Sequence, residues 1–137
     1  MLRSLALTAA LGSAACVVRT AGPRQAERVA MRDGFTFLGD RWVNGGADHD
    51  ALHVGGRAGR YTALMIVVEH SAVEMFDMVV TFGDGERWSP PTRLVFGENT
   101  ASRVIDLPGG ARAIQRVDFR YGNLPGGGKA RVEIWGR

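Results

Sequence analysis

From Phe35 onward, short runs of apolar residues alternate with clusters of Gly, Pro, Asn and Asp. That rhythm is the one expected of strands joined by tight turns, as in a sandwich or barrel. It predicts strands near 35–43, 51–55, 61–69, 73–82, 86–89, 92–97, 102–107, 114–122 and 129–136. Within the last two runs, Val117, Phe119 and Tyr121 share one face and Arg116, Asp118 and Arg120 the other, while Ala130, Val132 and Ile134 oppose Arg131 and Glu133. Leu64, Ile66 and Val68 alternate with Met65, Val67 and Glu69, a run apolar on nearly both faces. The run 73–82 is interrupted only by Glu74 and Asp77. These two segments are therefore expected in the middle of the sheets and paired with each other. Leu64, Ile66, Val117, Phe119, Val132 and Ile134 are the expected core.

Turn chemistry sets the joints. Asp84-Gly85 between strand-like runs is a hairpin signal, Pro108-Gly109-Gly110 and residues 123–128 punctuate the later strands, and Pro90-Pro91 confines its segment to an edge or loop. No substantial helix is expected; 110–115 has room for one turn at most. The expected fold is all-β, a single antiparallel β-sandwich, jelly-roll-like, with about eight or nine short strands over residues 35–137.

The first 22 residues have another texture. A basic start at Arg3, an apolar stretch from Leu5 and small residues at Ser13, Ala14 and Ala15 follow the three-part layout of a secretory signal. The stretch is too short to span a bilayer, so the expectation is export to the periplasm or beyond, without a transmembrane span. Cys16 follows the small residues where a lipoprotein carries its acylated cysteine, and it is the candidate lipidation site. The arrangement departs from a lipobox at Ser13, where a leucine is usual. Cleavage near Ala15 without lipidation stands as the alternative. A lone cysteine allows no internal disulfide. Residues 23–34 read as a linker.

Composition narrows the function classes. The net charge of +3 is spread over dispersed arginines, with Lys129 the only lysine, rather than gathered on one stripe with stacking aromatics; nucleic-acid binding is not expected. The Gly-rich run Gly55 to Arg60 opens no helix, which argues against a phosphate cradle.

The segments 35–43 (FTFLGDRWV), 46–56 (GADHDALHVGG), 102–123 (SRVIDLPGGARAIQRVDFRYGN) and 132–137 (VEIWGR) together give the chain a recognisable pattern. It resembles an uncharacterised family of small exported proteobacterial proteins with a β-sandwich domain. The resemblance covers most of residues 35–137 and implies a fold; its motifs are structural, and it implies no activity.

Candidate chemistry is sparse. Asp48-His49-Asp50, with Asp40 and His53 near, is the densest group of oxygen and nitrogen donors. Asp48 and Asp50 are the candidate metal ligands, for calcium, but the pattern lacks the glycine and distal glutamate of a calcium loop. An Asp-rich turn is the favoured reading. His49, His53 and His70, even with Glu69, match no zinc spacing. Ser71, Ser89 and Ser102 lie in no nucleophile elbow, and Glu69, Glu74, Asp77 and Asp106 could serve as paired carboxylates only if the fold joins them. No catalytic residue and no cofactor is assigned. Trp42, Trp88 and Trp135, each near a strand end, are the candidate binding aromatics, since a Trp exposed at a sandwich rim can stack on a sugar ring or anchor a protein contact. The expectation is thus an exported, non-enzymatic envelope protein that binds a protein or glycan. A small secreted hydrolase of cell-wall or extracellular polymer and a calcium-stabilised binding module are the alternatives.

Overall fold

The computed structural model describes residues 25–44, 46, 48–54, 59–90, 94–122, 124 and 128–137. Among them lie one helix, α1 (Gln25–Arg32), and ten strands: β1 (Thr36–Asn44), β2 (Asp48–His53), β3 (Ala63–Glu69), β4 (Val73–Phe82), β5 (Arg87–Trp88), β6 (Leu94–Phe96), β7 (Thr100–Ala101), β8 (Ile105–Asp106), β9 (Ile114–Gly122) and β10 (Lys129–Gly136). The signal-like segment with Cys16, and Gly55 to Ala58, lie outside the described residues.

Two antiparallel sheets face each other. In the first, the order is β1-β10-β3-β7, with β8 also paired to β3; in the second it is β2-β9-β4-β5, with β6 also paired to β4. The interior is the apolar face of both sheets, and all six expected core residues are buried there, Phe119 among the largest. The sandwich expectation holds.

Three local expectations change. β3 and β4 are central, but in opposite sheets rather than paired, because the chain crosses the sandwich at His70 to Ala72, with His70 at a φ of 74°. β3 is buried along its whole length because its inner side faces the core and its outer side lies partly beneath α1. Asp48 to Asp50 belong to β2 and pair with β9 rather than forming a turn.

The third change is the helix, which occupies most of the expected linker 23–34. Its end is a Schellman cap: the Gly34 N–H donates to the Met31 carbonyl at 3.1 Å, the Phe35 N–H donates to the Ala30 carbonyl at 3.0 Å, and Gly34 takes the left-handed φ of 83° that such a cap requires. Phe35 then packs with Ala30 against Ala63, Met65, Val67 and Trp135 on the outer face of the first sheet. Arg137 adds a tie, donating to the Asp33 carbonyl at 2.9 Å with its guanidinium over the Phe35 ring. α1 itself buries only Ala26 and Ala30, each worth about 0.8 kcal/mol on the methyl-group scale, and an eight-residue helix has little stability of its own.

Candidate functional site

The outer face of the first sheet gathers the molecule's most unusual groups. Pairing of β1, β10 and β3 stacks three rows across it: Phe37, Trp135 and Met65; then Asp40, Glu133 and Val67; then Trp42, Arg131 and Glu69. The face therefore grades from apolar beneath α1, through a buried polar band, to an exposed aromatic.

The polar band is built around one guanidinium. Arg131 Nε donates to Asp40 Oδ2 at 2.8 Å, and its Nη1 lies 3.3 Å from Glu133 and 3.6 Å from Glu69. Glu69 and Glu133 are each only 1% exposed. Glu27 reaches in from α1, so that oxygens of Glu27, Glu69 and Glu133 fall within 4.8 Å of one another. Burial pushes the Glu133 carboxyl up to about 7; the indole N–H of Trp135, donated at 2.9 Å, pulls it down, and Glu69 and Glu27 push it up. Three carboxylates so close suit a cation, but Arg131 already stands among them and supplies positive charge. Among the described residues the group is a cluster of three carboxylates beside one arginine.

At the outer end, Trp42 is 52% exposed and stacks on His70, with ring centroids 5.0 Å apart and planes at 29°. His70 takes its place because it directly follows Glu69, the cross-sheet neighbour of Arg131, which pairs with Trp42. Of the three candidate aromatics, Trp42 is the one that is largely exposed. Trp88 is half-buried against the core, and Trp135 is buried beneath α1 with Phe37 edge-on at 5.5 Å.

The other candidates are dispersed. His49 and His53 lie on the exposed face of the second sheet, whereas His70 follows β3 of the first, so the three histidines do not converge. His49 meets Asp118 at 3.3 Å, and Asp118 also accepts from Arg116 at 2.8 Å. Asp50 accepts from the Tyr121 hydroxyl at 2.8 Å and pairs with Arg41 at 3.6 Å, while Asp48 accepts from the His49 backbone at 2.8 Å. Burial and the Asp50 carboxylate raise the Tyr121 phenol, keeping it a donor. These two aspartates are thus engaged by protein donors.

Of the four candidate carboxylates, Glu69 alone joins the buried band; Glu74 and Asp77 lie on β4 in the opposite sheet, and Asp106 is exposed on β8. Its partners, Glu27 and Glu133, escaped the sequence reading. Glu133 follows alternation as an outward charge, and only an element laid over the sheet makes that charge buried. Ser89 donates to the Met78 carbonyl at 2.6 Å, and Ser102 donates to the Arg103 carbonyl at 2.7 Å while accepting from the Ile66 N–H at 2.9 Å. Both hydroxyls tie down backbone. Among the described residues no helix is long and apolar enough to cross a membrane.

Residues 8–136 match the family model described as "Domain of unknown function (DUF2541)". No curated protein matches the chain. Among solved structures, it is similar to the coat protein of Tobacco streak virus, with 20% identity, 72% of this chain and 86% of that one covered, and a TM-score of 0.34.

Proposed function

This chain belongs to the family of domains of unknown function DUF2541, and from that premise we propose that it is an exported, non-enzymatic envelope module that binds a glycan through Trp42. The observation that carries the reading is the ring of Trp42, 52% exposed and backed on one side by His70. A large aromatic held at a sheet surface presents a flat apolar plate at low conformational cost, which suits the C–H face of a pyranose. Asp40 and Arg131, one row inward and directly opposite, supply a carboxylate and a guanidinium that can take sugar hydroxyls. The signal-like N-terminal segment supports placement in the envelope, where such polymers lie.

A hydrolase built on Glu69 and Glu133 is disfavoured, because each is only 1% exposed and neither reaches a polymer with α1 in place. The test is a glycan array probed with the purified chain and with Trp42→Ala. The reading requires retention of the wild type on one class of β-linked polysaccharide and its loss in the variant. Equal retention of both proteins, or retention of neither, overturns it.

A further inference from the structure

The outer face of the second sheet carries a pattern of its own. Pairing sets three rows across it: His49, Arg120 and Asp77; then Ala51, Asp118 and Val79; then His53, Arg116, Thr81 and Arg87. The alternate residues Val117, Phe119, Met78 and Val80 fill the core, so these rows look outward.

Five arginines lie on the described strands. Arg41, Arg116 and Arg131 meet the carboxylates of Asp50, Asp118 and Asp40. Among the described residues Arg87 and Arg120 form no ion pair or hydrogen bond, and both are exposed. Arg120 faces Asp77 in the register, yet Asp77 turns to the Ser89 hydroxyl, 3.1 Å away.

The two unengaged arginines border one hollow of 180 Å³, together with His49, Asp77, Val79 and Asp118. Its carboxylates already have donors: Asp118, 8% exposed, takes Arg116 at 2.8 Å and His49 at 3.3 Å. Three guanidiniums thus stand around two carboxylates, and the excess charge sits on arginines whose donors face water. Beyond His49 and Arg120 a second hollow of 370 Å³ opens beside Phe76, which an irregularity of β4 between Met75 and Asp77 adds to this side; Asp48 and Tyr121 complete it. Glu74 lies further along β4, opposite Gly122.

We propose that this face binds an acidic sugar, a uronate, with its carboxylate between Arg87 and Arg120 and its pyranose ring beside Phe76. An arginine fork matches the two oxygens of a carboxylate, one negative charge matches the single excess positive one, and a neighbouring aromatic suits the C–H groups of a sugar. The inference does not rest on the reading of Trp42, which lies on the other sheet.

The test is an amide NMR titration of the full chain with trigalacturonate at low ionic strength, with maltotriose as the neutral probe, in the wild type, Arg87→Gln, Arg120→Gln and Trp42→Ala. Trigalacturonate should shift the amides of β4, β5 and β9 in the wild type, maltotriose should not, and the affinity should fall as salt is raised. Removing one charge-assisted partner should weaken binding at least about tenfold in each arginine variant, while Trp42→Ala binds like the wild type. Both arginines are exposed and unbonded among the described residues, so neither substitution should move the unfolding midpoint. Absence of these shifts in the wild type, wild-type affinity in either arginine variant, the same shifts with maltotriose, or their loss in Trp42→Ala overturns the site.

Discussion

The indole N–H of Trp135 donates to Glu133 Oε2 at 2.9 Å, from two residues further along the same face of β10. This bond joins the apolar strip under α1 to the buried carboxylates. Trp135→Phe keeps an aromatic ring but removes the donor. It is expected to cost roughly 2–4 kcal/mol, from lost ring volume and a carboxylate left without its partner. It should also move the Glu133 titration further above about 7, because the bond is what holds that value down. Chemical denaturation and a carboxyl NMR titration check both. A loss under about 1 kcal/mol with an unmoved titration would contradict the role given to this bond.

The same carboxyl makes overall stability depend on pH, with a definite sign. Its folded value, about 7, lies above the ordinary 4.5. Between those values the folded chain keeps a proton that the unfolded chain has released, so this carboxyl's contribution to stability is full at or below 4.5 and declines as pH rises toward 7. Urea midpoints at pH 5, 6, 7 and 8 should fall across the first three and level at the last. Glu133→Gln should remove most of that decline.

Phe119 lies between the sheets, 5.9 Å from the Tyr121 ring and almost wholly buried. Phe119→Ala should cost roughly 3–5 kcal/mol, the range for deleting a core phenyl ring. A denaturation experiment showing less than about 1 kcal/mol would contradict the packing described.

Export is tested on the product. Intact mass of the chain recovered from bacterial membrane and soluble envelope fractions should show a species beginning at Cys16 with attached lipid, or one cut near Ala15. An uncut chain confined to the cytoplasm would contradict envelope placement.

Much of the sandwich was legible because two-residue alternation is a direct consequence of strand geometry. Val117, Phe119, Val132 and Ile134 reveal their inward face in the sequence, and Asp84-Gly85 reveals the β4–β5 hairpin, which closes with Gly85 at a φ of 87°. Which sheet each strand joins was not legible, since apolar runs such as β3 and β4 fit the middle of either. α1 was obscured by Pro23 and its dense charge. The signal existed: helix formers from Gln25 to Arg32, a basic last turn and Gly34 just past it. Missing α1 also hid the carboxylate band, because Glu133 and Glu69 look like solvent-face charges until a helix is laid over them. Trp42 was named in advance along with Trp88 and Trp135, but only the three-dimensional pairing separates the exposed ring from the two that close the structure.

The glycan reading is tested most directly by co-sedimentation of the full chain with purified peptidoglycan, with wild type and Trp42→Ala run over the same concentration range. Removing a binding tryptophan is worth about 2 kcal/mol or more, so the variant should bind roughly 30-fold more weakly while keeping the wild-type unfolding midpoint. Saturable binding of equal strength by both proteins would contradict a glycan site at Trp42.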